Sequence, residues 1–227
     1  MVLSMQAFKK ISRTKKILIE RQDMKRFVLF LMLTISPLLA NADEFVAGKH
    51  YEVIAPQPTD TGEKIEVLEF FWYGCPHCYS FEPYVQSWKK TKSNDVVFAR
   101  VPAVFRPDWE VQAKTYYALS VMGVIEDVHE KIFEAIHKDK RRLNSFDKIA
   151  DFLQLHGVDR AAFTKEYNSF AVDSMVRKAK KKQQAYKISG VPTVVVNGKY
   201  LVTGSMAGSY EKMLEIIKQL TKQEVKK

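Results

Sequence analysis

The chain has 227 residues, 46% of them apolar and 27% charged, a composition typical of a globular protein with one or two domains. Its net charge of +10 is concentrated at the N-terminus, because residues 1–42 contain eight basic and two acidic residues and the remainder has 28 basic against 24 acidic. This distribution removes the main support for a nucleic-acid-binding protein, and we expect no nucleic-acid partner.

The N-terminal region has the features of an export signal. A positive segment at 24–26 precedes an apolar run at 27–35, and small residues at 40–42 match the pattern of a cleavage site. We therefore predict a signal peptide at 24–42 that is cleaved after Ala42. Export would place the mature protein in an oxidising compartment, the periplasm, where disulfides form and persist.

Two points about this leader stay open. A retained membrane anchor is the alternative to cleavage, although the apolar run is short for a membrane span. Residues 1–23 form an upstream extension of the 1–42 leader, ahead of a complete signal with its own methionine. We assign the extension no function and exclude it from the fold.

In the first half of the mature chain, the sequence predicts strands before and after one helix. A possible edge strand at 51–54 is followed by a proline- and glycine-rich turn and by an apolar, aromatic run at 64–72, which predicts a central strand. A helix is predicted over 76–90, and a second buried strand at 96–101 ends at Pro102.

From 108 to 187 the apolar residues follow the helical period, without a strand-like run. The predicted helices span 109–122, 126–137, 145–156 (with Ser145 as the cap) and 161–188, the last broken near Phe170. Beyond this block, Asn197-Gly198 predicts a tight hairpin between strands at 193–196 and 199–202, and an amphipathic helix follows at 208–223.

These patterns predict an α/β protein with a helical insertion. The strands and helices of 43–107 and 188–227 would form one α/β domain, because strands come from both ends of the chain. The helical block at 108–187 would be inserted into it as an all-helical domain.

The only two cysteines, Cys75 and Cys78, are separated by two residues and lie between the predicted strand and helix. Cys75 would lie where the helix begins, close to unpaired backbone N–H groups and to the positive end of the helix dipole. Pro76 suits the first helical turn, where its missing N–H has no consequence. This environment favours the thiolate, which is the nucleophilic form.

Three kinds of site compete for this pair. A structural zinc site needs about four ligands, and no second cysteine pair is present, so we expect no metal ion. A static disulfide across two residues would close a very small loop and stabilise little. Redox catalysis fits the pattern best.

The segment Cys75-Pro76-His77-Cys78, within Leu68-Glu69-Phe70-Phe71 and Tyr79-Ser80-Phe81-Glu82, resembles the active site of the DsbA family of periplasmic thiol:disulfide interchange proteins. Far downstream, Ser189-Gly190-Val191-Pro192-Thr193 resembles the thioredoxin-fold loop whose proline is cis and faces the active-site pair. The resemblance covers residue 43 to the C-terminus. It implies a thioredoxin fold interrupted by an inserted all-helical domain.

The resemblance also implies roles for the residues around the pair. Cys75 would be the nucleophile, Cys78 the resolving partner, and the two together a redox-active disulfide. Pro76 and His77 would tune Cys75, His77 by donating a hydrogen bond to the thiolate. Glu69 would help to move the proton of Cys78.

Several residues near the pair have more open roles. Arg100 is a plausible charge partner of Glu69, and Glu82 either tunes the site or is a plain surface residue. Val191 and Pro192 would present backbone to an extended substrate. An aromatic set could line a substrate groove, although most of its members suit the core; it comprises Phe71, Trp72, Tyr73, Tyr79, Phe81 and Tyr84. Trp72 and Tyr73 are the candidates for surface contact with substrate.

We therefore predict a dithiol oxidase that donates its disulfide to newly exported proteins. The resemblance implies reoxidation by an inner-membrane partner of the DsbB type, and we expect a monomer without a cofactor. One alternative is a disulfide isomerase or reductase on the same fold. Another is a non-catalytic periplasmic module that binds peptides or a metal.

Overall fold

The computed structural model of the protein describes residues 45–225, so the predicted leader at 1–42 lies outside the described residues. Within 45–225 the chain forms five strands, β1 (Glu52–Val53), β2 (Ile65–Phe71), β3 (Val96–Pro102), β4 (Thr193–Val196) and β5 (Tyr200–Thr203). The same part contains the α-helices α1 (Pro76–Lys89), α2 (Glu110–Val121), α3 (Ile125–His137), α4 (Phe146–Leu155), α5 (Arg160–Tyr167), α6 (Phe170–Ala185), α7 (Gly204–Ala207) and α8 (Tyr210–Val225).

The strands form one mixed sheet in the order β1-β5-β4-β2-β3. Strand β2 lies between β4, to which it is antiparallel, and β3, to which it is parallel. All seven residues of β2 are buried, which accounts for its nearly continuous apolar sequence. The short β1 lies at the edge of the sheet, as predicted, and pairs with β5.

The hairpin between β4 and β5 forms at the predicted dipeptide. Asn197 and Gly198 have φ angles of +49° and +64°, the left-handed values that a two-residue hairpin turn requires. A Cβ atom on Gly198 would lie 2.3 Å from the carbonyl oxygen of Gln57, so the close approach of the backbone also requires glycine. The turn therefore fixes the register of the strand that begins next to Pro192.

Helices α2 to α6 lie between β3 and β4, where the sequence predicts them. The predicted break near Phe170 separates α5 from α6, whose N-terminal N–H groups are capped by Asp159 and Ser169 respectively. Ser145 occupies the N-cap position of α4, but its side chain makes no capping hydrogen bond. Helix α7 is not predicted, because its four residues are too few to show a helical period.

Three apolar clusters hold these elements together. One joins the cysteine segment to the inserted helices through buried residues that include Phe71, Cys78, Leu119, Phe133 and Leu153. A second packs α1 and α8 on one face of the sheet, and a third packs α6 on the other face. The inserted helices thus share a core with both cysteines. No helix within residues 45–225 is long and apolar enough to cross a membrane.

Candidate active site

Cys75 is the N-cap residue of α1. Its backbone is extended, with φ −86° and ψ 117°, and Pro76 is the first residue of the helix, as predicted. The two cysteines are free, without a disulfide between them. Cys75 is 7% exposed and Cys78 is fully buried, so Cys75 is the more accessible of the two.

The two thiols have opposite proton affinities. The pKa of Cys75 is lowered to about 6, chiefly by a hydrogen bond from the Cys78 thiol, and further by the backbone N–H groups of Cys78 and His77, against the opposing effect of burial. Burial raises the pKa of Cys78 well above its ordinary value, and the neighbouring Cys75 and Glu69 add to this. At neutral pH this arrangement favours a thiolate on Cys75 and a thiol on Cys78.

The loop before β4 faces Cys75. The peptide bond between Val191 and Pro192 is cis, as the resemblance implied. The Cys75 sulfur lies 3.4 Å from the Val191 carbonyl oxygen, to which its protonated form donates a hydrogen bond. This contact brings the two sequence motifs, 116 positions apart, into one site.

A groove of about 710 Å³ opens beside this contact. It is lined by the Val191 loop, by the α7–α8 segment and by two aromatic residues of the surrounding helices; its lining includes His77, Tyr84, Val191, Pro192, Ser209, Tyr210 and Glu211. Tyr84 donates a hydrogen bond to Glu211 across the groove wall. The groove offers both apolar surface and hydrogen-bonding groups next to the Val191 backbone that Cys75 contacts.

His77 is exposed, and its side chain is held by α8. Its Nδ1 atom lies 3.0 Å from the hydroxyl oxygen of Tyr210. The family resemblance implied that this imidazole donates a hydrogen bond to the Cys75 thiolate. In the structure, His77 lowers the pKa of Cys75 through its backbone N–H and, to a smaller extent, through its charge.

Beneath the cysteines lies a buried ion network. Arg100 on β3 is in register with Glu69 on β2, and its Nε atom donates to Glu69 Oε2 at 3.0 Å. Its Nη2 atom donates to both carboxylate oxygens of Glu82 on α1, at 2.8 and 3.0 Å. The predicted pairing of Glu69 with Arg100 is confirmed, and Glu82 belongs to the same buried network and not to the surface.

The Arg100 guanidinium pairs with both carboxylates, but the pKa values of the two shift in opposite directions. Burial raises the pKa of Glu69, and the charge of Arg100 offsets this only in part. Burial also acts on Glu82, but His129, whose Nε2 lies 3.5 Å from Oε2 of Glu82, and the charge of Arg100 outweigh it and hold the Glu82 pKa below the ordinary value. Glu69 is therefore the carboxylate with the higher proton affinity, and it lies close enough to Cys78 to raise the pKa of that thiol.

Tyr73 is not a surface residue, and the prediction that it contacts substrate there is wrong. It is 1% exposed, and its hydroxyl oxygen lies 2.8 Å from Nδ1 of His129. Its carbonyl oxygen lies 2.7 Å from Nε2 of His137. The inserted helix α3 covers this residue, and the sequence of the β2–α1 segment alone does not show that cover. Phe71 and Phe81 are likewise core residues.

Trp72 is half-buried beside the site. Its ring stacks on that of Trp109 at a centroid distance of 3.8 Å and an interplanar angle of 5°. A Cβ atom on Gly74 would come within 2.3 Å of the Trp72 ring, so this stacking requires glycine at position 74. Trp72 remains a candidate for substrate contact.

Sequence reasoning missed two residues, His129 and Tyr210. His129 lies on the buried face of α3 with Val128, Ile132 and Phe133. A histidine within that apolar stripe was the available signal, because a buried imidazole needs polar partners. Within residues 45–225, no group of three or more histidine, cysteine or acidic side chains is placed to hold a metal ion.

A family model and the sequences of known relatives point to the same family. A family model described as a DSBA-like thioredoxin domain matches residues 66–217. The thiol:disulfide interchange protein DsbA of Pseudomonas aeruginosa is 44% identical over 205 residues, covering 88% of this chain and 97% of the relative. That of Azotobacter vinelandii is 44% identical over 196 residues, covering 86% and 92% respectively.

Solved structures agree. A crystal structure of Pseudomonas aeruginosa DsbA has 46% sequence identity and a TM-score of 0.77, covering 81% of this chain and 96% of that chain. The oxidoreductase DsbA of Xylella fastidiosa has 34% identity and a TM-score of 0.75, covering 81% and 99%. These likenesses confirm the predicted fold class, a thioredoxin fold interrupted by inserted helices.

Proposed function

Because this chain belongs to the family of DSBA-like thioredoxin-domain proteins and is a thiol:disulfide oxidoreductase, we propose the following division of labour among its residues. The oxidised protein carries a disulfide between Cys75 and Cys78 and transfers it to protein substrates. The observation that carries this proposal is the opposite shift of the two thiol pKa values in a site where Cys75 faces Val191.

The first step is attack of a substrate thiolate on the sulfur of Cys75. The Cys75–Cys78 bond breaks, a mixed disulfide forms between Cys75 and the substrate, and the electron pair remains on the Cys78 sulfur. Because burial raises the pKa of Cys78, that sulfur takes up a proton. Glu69, whose pKa burial also raises, supplies it and becomes a carboxylate paired with Arg100.

The second step releases the product. A second substrate thiolate attacks the substrate sulfur of the mixed disulfide, so the substrate leaves with a new disulfide and Cys75 leaves as a thiolate. The Cys78 thiol and the N–H groups at the start of α1 stabilise that thiolate. Stabilising the reduced form in this way makes the disulfide a stronger oxidant, which favours an oxidase over a reductase.

The Val191–Pro192 loop and the groove beside it hold the substrate. An extended peptide would lie along the Val191 backbone, with the groove accepting its neighbouring side chains. Trp72, which is stacked on Trp109, would extend the contact surface.

The setting of the reaction is also proposed. The substrates are newly exported proteins with free thiols in the periplasm, reached through the signal peptide at 24–42. An inner-membrane protein of the DsbB type restores the disulfide, and the enzyme acts as a monomer. Residues 43–107 and 188–227 form the thioredoxin-like domain, with the helical domain at 108–187 inserted into it.

Oxidation of a reduced two-cysteine peptide tests the activity, and equilibration with glutathione tests its direction. We expect stoichiometric oxidation of the peptide by the oxidised protein and a potential above the glutathione couple. A potential near that of thioredoxin, about −270 mV, would instead identify a reductase. Peptide oxidation that survives Cys75→Ser would defeat the assignment of the nucleophile.

A further inference from the structure

We propose that His129 is a positioning residue that determines which of two buried carboxylates, Glu69 or Glu82, holds the proton exchanged with Cys78. The inference rests on the proposed function, because it assigns a cause to the proton that the first step requires. It gives the inserted helical block, which supplies His129, a direct part in the chemistry of the cysteine pair.

His129 is held by two polar contacts within an apolar core. It is 1% exposed on α3, with Nδ1 2.8 Å from the hydroxyl oxygen of Tyr73 and Nε2 3.5 Å from Oε2 of Glu82. Burial lowers its pKa, so the imidazole is neutral and carries one N–H. If the Tyr73 hydroxyl donates to Nδ1, the N–H is on Nε2 and points its positive end at Glu82. The opposite tautomer would face the Glu82 carboxylate with a lone pair.

The two carboxylates differ in the number of hydrogen-bond donors that face them. Glu82 accepts from Arg100 with both oxygens, accepts from Gln86 at 2.6 Å, and faces His129. Glu69 accepts one side-chain hydrogen bond from the described residues, from Arg100. A carboxylate with more donors is favoured as the anion, and two close anions sharing one cation disfavour double ionisation. The proton therefore resides on Glu69, the carboxylate that acts on Cys78.

Other charged and titratable groups near the network do not reverse this preference. Tyr116 on α2 lies 6.0 Å from the His129 ring between centroids, and burial raises its pKa to about 12, so it is neutral. Lys89 on α1 and Glu126 on α3 pair with each other at 2.6 Å. Of this pair, Lys89 acts on Glu69 and lowers the pKa of its carboxyl, but it is the weakest of the named influences there.

Removal of the His129 N–H would redistribute the proton. Glu82 would lose a stabilising donor and gain proton affinity, and protonation there would leave Arg100 free to pair fully with Glu69. Glu69 would then stay ionised at lower pH and could not donate to the departing Cys78 sulfur. The expected shift of the Glu69 midpoint is downward by about one pH unit.

Infrared titration of the oxidised full-length protein measures this midpoint directly. The carbonyl band of the protonated carboxyl is assigned by its disappearance in Glu69→Gln. We expect His129→Phe to move the midpoint downward and His129→Gln, which keeps an N–H donor, to restore it. Phe133→Leu on the same buried face of α3 controls for loss of packing; it should lower the melting temperature without moving the midpoint.

A kinetic profile provides the functional readout. The rate constant for attack of glutathione thiolate on the oxidised protein, corrected for ionised glutathione, should fall as pH rises through the Glu69 midpoint. In His129→Phe this fall should occur about one pH unit lower. If His129→Phe does not fold, Tyr73→Phe removes the hydroxyl that fixes the tautomer and should give a smaller downward shift.

The outcomes separate this inference from the proposed function. Coincident pH profiles for wild type and His129→Phe, or equal shifts in His129→Phe and His129→Gln, would overturn the role of His129 while disulfide transfer by the wild type stands. Failure of the wild type to oxidise a two-cysteine peptide would overturn the proposed function itself.

Discussion

The two cysteines lie three positions apart on one helix, and yet they occupy opposite environments. Cys75 occupies the N-cap position of α1, where nearby backbone N–H groups and the Cys78 thiol lower its pKa and a groove opens beside the Val191 loop. Cys78, one turn further on, is buried above Glu69, where burial and nearby negative charge oppose ionisation. The same chemical group is thus prepared at one position to be an anion and at the other to be a thiol.

This difference in proton affinity determines which sulfur of the pair is attacked and which one leaves. If both sulfurs had equal proton affinity, attack on either would be equally favourable and neither would be the preferred leaving group. The helix start acts on the first sulfur, and the buried network of Glu69, Arg100 and Glu82 acts on the second. A substitution at either site should therefore change one sulfur more than the other.

Removal of either sulfur should have the largest effect, with a different result at each position. Cys75→Ser should abolish peptide oxidation and form no adduct, since the remaining thiol is buried and protonated. Cys78→Ser should also abolish turnover but accumulate a mixed disulfide on Cys75 with oxidised glutathione, detected by mass spectrometry. An adduct of comparable yield on Cys78 in Cys75→Ser would contradict the comparison.

Loss of Arg100, the cation that Glu69 and Glu82 share, should have the next largest effect. Arg100→Met leaves two buried carboxylates without their counter-ion, and we expect the free energy of unfolding to fall by about 3 kcal/mol at about pH 8. The folded variant would bind more protons than its unfolded chain, because the carboxyl pKa values rise. Its stability should therefore recover as pH falls to about 5, as denaturant titrations at the two pH values would show.

The matched control for Arg100→Met carries Glu69→Gln and Glu82→Gln in addition. With the charges removed together, no buried ion lacks a partner, and most of the lost stability should return. A loss below about 1 kcal/mol in the single variant, independent of pH, would mean that the network is not the buried, charged unit described above.

The sequence predicts the Cys75 side of this comparison well. The N-cap position of Cys75 follows from Pro76 and from the helical period after it, and the family resemblance of the Val191-Pro192 motif implied the cis bond. These signals are local, since each depends on a few neighbouring residues. The strands and the Asn197-Gly198 turn are predictable for the same reason.

The environment of Cys78 is much harder to predict from the sequence. The burial of Tyr73 and Glu82 depends on α3, whose residues lie about 50 positions downstream. Periodicity indicates that α3 has a buried face, but it does not indicate what that face covers. The position of Glu69 opposite Arg100 was accessible only because the two predicted strands are neighbours in the sheet.

Titration of Cys75 measures how far the pKa of its thiol is lowered. The ultraviolet absorbance of the thiolate in the reduced protein should rise with a midpoint at about pH 6. Because the folded pKa lies below the unfolded one, the thiolate stabilises the reduced protein above the unfolded pKa, and this contribution is lost as pH falls through about 6. The melting temperature of the reduced protein relative to the oxidised protein should therefore rise with pH over this window.

Cys78→Ala isolates the contribution of the second sulfur to that titration. It removes the hydrogen bond that contributes most to the lowered pKa of Cys75, so the midpoint should move upward by about one pH unit or more. An unchanged midpoint would assign the effect to the helix start alone.

The smallest effect should come from His77, because its side chain pairs with Tyr210 and its charge is the weakest of the named influences on Cys75. His77→Ala keeps the backbone N–H that faces the sulfur, and we expect the Cys75 midpoint to rise by less than about one pH unit, a smaller rise than in Cys78→Ala. Tyr210→Phe frees the imidazole without removing it and separates the position of the ring from its presence. If His77→Ala shifts the midpoint more than Cys78→Ala, the imidazole and not the second thiol would be the main source of the difference between the two sulfurs.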